Sequence, residues 1–325
     1  MLLDKDEFEE VRTACLRLKT VYPNSYVLCV ALGEAFIGLK KLKLAIPHFI
    51  KATEHNTHWA DFTLIPLIGQ QLTTENNTAF LKIANQTLDT ISENQFEFIL
   101  HLVTFKSEFR DEAFSLVSAY IESKGIRQLD LILDLENNLV ASILKKFENQ
   151  ESYARFYKIF DDFYGVNRIG PATEVNAEAI GLLFFVHNPV FLAHTNPLFS
   201  ILKTKQKNDR VTVVSMESDQ LFREKCEQLG CDFIELQGSC TLDKLKHLEL
   251  LGSNHQSVIW QCLPLFLSYF SKRLSNVNWW SSKFNPPISG IKKCITALPS
   301  NADFKYINEN QWHNFVPPFE MVNRD

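Results

Sequence analysis

The sequence lacks the features that mark several well-known classes of protein. No apolar run reaches the roughly 18 residues that cross a bilayer, and the N-terminus is acidic, without the apolar core of a secretion signal. The net charge of −5, with both signs mixed along the chain, argues against the clustered basic face of a nucleic-acid-binding protein. We therefore expect a globular, cytoplasmic protein without a membrane span and without a nucleic-acid partner.

Metal-binding patterns are also missing. The seven cysteines contain no CxxC pair, the spacing that structural zinc sites commonly use. Cys226, Cys231 and Cys240 are close enough in sequence for a zinc site to be considered, but buried reduced thiols are the preferred interpretation. The acidic pair Asp161 and Asp162 falls in a predicted helix and not at a strand end. We predict no metal and no cofactor.

The N-terminal part of the sequence shows a pattern of paired helices. The residues that match the tetratricopeptide pattern L-G-x-x-Y followed by A-x3-F-x2-A are Leu32, Gly33, Phe36, Ala45, Phe49 and Ala52. Small residues at Gly33 and Ala45 let two antiparallel helices approach, and Phe36 and Phe49 fill the space between them. A partial copy lies upstream at the expected period of about 34 residues. With the helical periodicity that follows, this predicts an all-α helical-repeat domain over residues 1–165.

From residue 176 the periodicity changes to short apolar runs separated by helical stretches. The predicted strands are 180–186, 211–214, 232–236, 258–262, 277–281 and 294–298. Continuous apolar runs of this length are typical of strands that are buried on both faces. Their alternation with helices predicts right-handed crossovers and a Rossmann-like, doubly wound parallel sheet over residues 176–325. The predicted fold class is an all-α domain followed by an α/β domain.

Candidate site residues follow the first predicted strand, because ligands of such sheets bind outside the carboxyl ends of the strands. His187, Asn188, His194 and Thr195 lie there, without a glycine-rich loop. This composition argues against a dinucleotide fingerprint and favours polar contacts with a sugar or a peptide. Either histidine could serve as a general base near neutral pH. Capping or packing roles are the alternative for both.

Two later strand ends add further candidates. Gln261 lies at the end of the fourth predicted strand, and Trp280 and Lys283 lie at the end of the fifth. Adjacent tryptophans on a strand point to opposite faces, so either Trp279 or Trp280 can face a cleft while the other is in the core. Lys283 could hold a phosphate or acidic group, or could be a surface lysine. We expect Trp280, Lys283 and the two histidines to form one hollow.

With these motifs, the sequence resembles the bacterial glycosyltransferases related to the O-linked N-acetylglucosamine transferases (Spindly-type). The resemblance rests on the L-G-x-x-F motif that begins at Leu32, on the order of helices and then sheet, and on the run of residues 279–286. It implies a GT-B region of two Rossmann-like domains, of which this chain holds the first. It further implies that this domain faces the acceptor and carries a histidine in the cleft, His187 or His194.

The implied activity is transfer of a sugar from a nucleotide-sugar donor to a protein or glycan acceptor. The donor-binding domain would need roughly 150 further residues, so we expect it on a separate chain, in a homodimer or in a further C-terminal segment. One alternative is a non-catalytic interaction module with a degenerate α/β domain, because helical repeats form concave surfaces that bind peptides. Another is an unrelated sugar-nucleotide enzyme on the same fold.

Overall fold

The chain contains two compact units. The computed structural model describes residues 5–55, 68–69, 72–124, 129–143, 150–165, 171–189, 192–261, 266–281, 288–296 and 312–314. The first unit comprises Met1–Gly125 and Ser142–Ser152, and the second comprises Ile126–Ala141 and Tyr153–Asp325. Two helices that the sequence assigned to the all-α domain therefore belong mainly to the unit with the sheet. No helix in the described ranges has the length and apolarity to span a membrane.

The described part of the first unit is helical. Its helices are α1 (Lys5–Val21), α2 (Tyr26–Gly38), α3 (Leu42–His55), α4 (Thr74–Gln86), α5 (Glu93–Thr104) and α6 (Arg110–Lys124). Side chains of Ser25, Thr73 and Ser92 accept hydrogen bonds from backbone amides in the first turns of α2, α4 and α5. Such caps satisfy donors that the helix itself leaves free, and they explain where these helices begin.

The helix pair predicted from the tetratricopeptide pattern is present as α2 and α3. Leu32, Ala45 and Phe49 are fully buried, and a Cβ atom added at Gly33 would lie 2.4 Å from the Phe49 ring. Only glycine allows this approach. Phe36 is buried and stacks on His48, with ring centroids 5.3 Å apart.

The second unit contains a seven-stranded parallel sheet. Its elements are α7 (Leu129–Ile143), α8 (Gln150–Tyr164), β1 (Leu182–Val186), α9 (Leu192–Thr204), β2 (Val211–Ser215), α10 (Gln220–Gln228), β3 (Asp232–Glu235), α11 (Thr241–Ser253), β4 (Ser257–Gln261), α12 (Leu267–Arg273), β5 (Val277–Ser281), β6 (Lys293–Thr296) and β7 (Trp312–Asn314). The strand order is β3-β2-β1-β4-β5-β6-β7, and every neighbouring pair is parallel. The predicted helical region followed by a Rossmann-like parallel sheet is confirmed, with β7 as an additional strand.

Apolar side chains cover both faces of the sheet. On one face, which we call the α9 face, Phe184 and Trp280 belong to a hydrophobic cluster with Leu198 of α9 and Phe222 of α10. On the other face, which we call the α12 face, Trp260 packs on Phe185 and on Phe270 of α12, with ring centroids 4.2 and 5.2 Å apart. Burial on both faces accounts for the continuous apolar runs of the sequence.

One helix boundary of the second unit lies where the sequence predicts it, and another does not. Gly230 predicts the end of the helix before it, and α10 ends there, because Gly230 has a φ of 70° that few residues other than glycine adopt. The sequence predicts that the helix after β1 starts at Asn196, but α9 begins at Leu192, so Pro197 lies inside the helix. A proline costs a helix one backbone donor, and α9 accepts this loss near its start. His194 and Thr195 therefore lie in a first helical turn and not in a loop.

Candidate functional site

The strand order reverses between β1 and β4. The chain runs outward from β1 through β2 to β3 and then returns to the opposite side of β1 with β4. In open α/β sheets the crevice at such a reversal, outside the carboxyl ends of the strands, is where ligands bind. Val186, the last residue of β1, pairs in register with Gln261, the last residue of β4. The two strands therefore end at the same level, directly before His187.

His187 is partly buried at this edge. Its ring centroid lies 6.1 Å from that of Phe266, the residue that precedes α12. Burial lowers the pKa of His187 from 6.5 to about 4, and the positive charge of Lys244 acts in the same direction. The imidazole is consequently neutral at physiological pH, which is the protonation state that a general base requires.

Lys244 is a cation at this edge that the strand ends of the sequence do not reveal. It lies in the first turn of α11, and its ammonium group donates a hydrogen bond of 3.0 Å to the carbonyl oxygen of Met216, just past β2. The signal in the sequence is positional, because the first turn of a helix that follows a parallel strand lies at the carboxyl edge.

The N-terminus of α11 is occupied by carboxylates from α7. The Leu242 amide donates to Asp130 Oδ1 over 2.8 Å, and the Thr241 hydroxyl donates to Asp134 Oδ1 over 2.8 Å. Cys240 precedes α11 without capping it through its own side chain, and its thiol contacts Asp130 Oδ2 at 3.5 Å. Because a negative charge is favourable at a helix N-terminus, Asp130 acts as the missing cap.

A buried acid, Glu136, lies near the Phe266 backbone. Glu136 of α7 has no exposed surface, and burial raises its pKa from 4.5 to about 8. The Tyr164 hydroxyl and the Phe266 backbone act in the opposite direction. They are close, but in the described part of the chain neither the Glu136 carboxyl nor the Tyr164 hydroxyl makes a hydrogen bond of ordinary geometry. Glu136 is therefore largely protonated at neutral pH.

Two of the other predicted site residues, Gln261 and Trp280, lie on the α9 face. Gln261 and Trp280 are neighbours in the β4–β5 register and are only 2% and 7% exposed. Trp280 belongs to the hydrophobic cluster of that face. Strand alternation and the Phe266 contact place His187 on the α12 face. The structure thus brings Gln261 and Trp280 together, but it does not bring them to the same side of the sheet as His187.

The remaining candidates are less informative. Thr195 is fully buried in the first turn of α9, and its hydroxyl has no hydrogen-bond partner among the described residues. Asn188 is partly buried directly after His187. His194 lies in the same turn as Thr195, but its side chain, like the whole of Lys283, lies outside the described residues.

Metal ligands were sought in the same region. In the ranges that the structure describes, no three His, Cys, Asp or Glu side chains converge as a metal site requires. Cys226 and Cys231 are buried. Burial, more than the neighbouring Cys231, raises the pKa of Cys226 to about 12, so this side chain stays a thiol.

Among the comparisons with known proteins, similarity is found to solved structures. No family model matches the sequence, and no curated protein matches it. A solved structure of a mutant O-GlcNAc transferase from Thermobaculum terrenum matches with a TM-score of 0.38 and 13% identity. The match covers 90% of this chain and 50% of that chain, so this chain spans about half the length of the protein it matches. Similarity at this level does not assign an activity.

Proposed function

We propose that this chain is the acceptor-side part of a sugar-transferring enzyme, with its site at the carboxyl ends of β1 and β4. The observation that carries the proposal is the position of His187. It follows β1 at the reversal of strand order and is neutral at physiological pH, and the positive charge of Lys244 acts on it. These are the properties expected of a base next to a charged ligand. The choice of sugar transfer over other reactions follows the family resemblance of the sequence.

In the proposed step, the imidazole of His187 takes the proton of an acceptor hydroxyl. The acceptor oxygen forms a bond to the anomeric carbon of the donor sugar. The bond from that carbon to the phosphate oxygen breaks, and the nucleoside diphosphate leaves with the electron pair. The donor nucleotide would be held by a second domain or chain, as the resemblance implies.

The test combines binding and transfer. The purified chain is screened against nucleotide sugars and nucleotides, and transfer to acceptor proteins and glycans is then measured with the donor-binding partner present. We expect His187→Gln to lower kcat by roughly 10²-fold or more, the usual contribution of a general base. His194→Gln tests the second histidine, and His48→Gln, on α3 of the first unit, is the matched control. Full activity of the His187 variant would refute the role of this residue.

A groove in the first unit favours a second candidate function, that of an interaction module. The groove has a volume of about 210 Å³ and is lined by Lys43, Ile46, Ile83, Thr87, Thr90, Ile91, Gln95 and Ile99. An apolar floor with one cation at the rim suits an apolar side chain beside a carboxylate, as a peptide would present. Absence of nucleotide and nucleotide-sugar binding by a folded chain would favour this function over sugar transfer.

A further inference from the structure

Lys244 reaches the end of β1. The Met216 carbonyl accepts its hydrogen bond over 3.0 Å, and the Met216 amide donates to the carbonyl of Val186, directly before His187, over 3.4 Å. Lys244 is partly buried, and its ammonium group has three donors, of which the Met216 carbonyl uses one. Among the described residues it forms no ion pair with a carboxylate. A carbonyl has no net charge to offset that of the ammonium group, and two N–H groups remain for another acceptor.

The nearby acids do not neutralise this charge. Asp130 and Asp134 of α7 accept hydrogen bonds from the first residues of α11, and Asp243 of α11 accepts one from Ser239. Glu136 is protonated over most of the physiological range, because burial raises its pKa to about 8. The field of Lys244 therefore reaches His187, where it lowers the pKa of the imidazole.

We infer that Lys244 and His187 together form a subsite for a phosphate group of the ligand. This inference rests on the proposed function and deepens it, because it specifies the charge of the group that binds beside the base. A lysine ammonium is a compact point charge and a common phosphate partner. The imidazole supplies a second donor once it is protonated, so phosphate and a proton bind to this pair cooperatively.

The subsite also explains how the low pKa of His187 rises when the ligand binds. A bound phosphate offsets the charge of Lys244 and favours the imidazolium form of His187. A nearby opposite charge raises the pKa of a histidine by about one to three units. The phosphate of the ligand thus moves the pKa of His187 towards the range in which a base works efficiently.

The experiment uses the full chain labelled with 15N in its histidine side chains, with inorganic phosphate as the probe at constant ionic strength. His187→Gln assigns the resonances. In the wild-type protein we expect phosphate to raise the pKa of His187 by about one unit or more. In Lys244→Met we expect the phosphate-free pKa to be higher than in the wild type, since one cause of the depression is gone. Phosphate should then shift the pKa of His187 in this variant by less than half as much.

Two variants control for charge and folding. Lys246→Met removes an exposed lysine of the same helix and should respond like the wild type, and Lys244→Arg keeps the charge and should retain the response. Amide spectra show whether each variant is folded. The inference is overturned if phosphate leaves the pKa of wild-type His187 unchanged or shifts it equally in Lys244→Met. An equal shift by acetate at the same concentration would overturn the assignment to phosphate.

The two proposals fail separately. A phosphate shift that depends on Lys244, in a chain that transfers no sugar with any partner, would retain the subsite and remove the proposed function. Transfer at the wild-type rate by Lys244→Met, without any phosphate effect on His187, would remove the subsite and leave the proposed function standing.

Discussion

Replacing the buried acid Glu136 by glutamine should remove a large pH dependence of stability. Burial raises the pKa of Glu136 to about 8 in the folded chain, from an ordinary value of 4.5. The stabilisation by the protonated acid is therefore complete below pH 4.5 and is lost as the pH rises through 8. In the middle of this window the folded chain holds one proton more than the unfolded chain. Linkage then gives a loss of about 1.4 kcal/mol in unfolding free energy per pH unit.

Urea unfolding at pH 6.5, 7.0, 7.5 and 8.0 measures this slope. Because Trp260, Trp279, Trp280 and Trp312 all belong to the second unit, a Trp59→Phe background makes tryptophan fluorescence report that unit alone. We expect the wild type to lose roughly 1 kcal/mol per pH unit over this range, as the linkage relation requires. Glu136→Gln keeps the shape of the side chain without the ionisation, so its slope should be close to zero.

Two other groups of this unit with large shifts act mainly outside the chosen window. The folded-state pKa of His187 is about 4, and the buried thiol of Cys226 affects stability only near and above its ordinary pKa of 9.0. If the wild type and Glu136→Gln lose stability in parallel, the protonation argument is refuted. If the variant is less stable at every pH with an unchanged slope, Glu136 is an ionised structural residue and not a buried neutral acid.

Two further predictions concern packing and ion pairing. Gly33→Ala places a methyl group against the Phe49 ring and should lower the free energy of unfolding by about 1–3 kcal/mol, measured by thermal or urea unfolding. The double variant with Phe49→Leu should lose less than the sum of the two single losses. Strict additivity would contradict the contact. Arg273→Met leaves Glu249 without its bidentate partner, whose hydrogen bonds measure 2.8 and 3.0 Å. Because these side chains are only 15% and 8% exposed, the variant should lose about 3–5 kcal/mol. Adding Glu249→Gln should restore most of it, and no recovery would show that the loss is not electrostatic.

Elements with a strong local pattern could be predicted from the sequence. The pair α2 and α3 follows from the spacing of a glycine and a phenylalanine that pack on each other, Gly33 and Phe49. The first six strands follow from apolar runs that need burial on both faces. β7 was missed because Trp312–Asn314 contains one apolar residue and no run. The start of α9 was misplaced because Pro197 resembles a helix start, while the first turn before it carries no acidic residue.

The site was harder to predict because it depends on which elements lie opposite each other. Alternation along β1 puts His187 on the other face from Val186, but only the strand register shows that Trp280 shares the face of Val186. The sequence likewise gives no reason to connect Asp130 with Leu242, more than a hundred positions apart. Acidic residues on a helix usually face solvent, and nothing in the sequence distinguishes Asp130 from them.

His187 lies near the Phe266 ring and Glu136 near the Phe266 backbone, and both are held in their neutral forms by burial. Their effects on stability have opposite signs. The stabilisation by the neutral imidazole is complete above pH 6.5 and is lost as the pH falls towards 4. The stabilisation by the protonated acid is complete below pH 4.5 and is lost as the pH rises through 8.

Between pH 4.5 and 6.5 the two slopes largely cancel, so the stability of the wild type hardly changes with pH there. A flat profile in this range would be mistaken for the absence of buried ionisable groups. Only His187→Gln and Glu136→Gln, measured separately, would show slopes of opposite sign. Because burial and the charge of Lys244 both disfavour the imidazolium form of His187, a proton can stay on His187 at neutral pH only when a ligand brings negative charge to this edge.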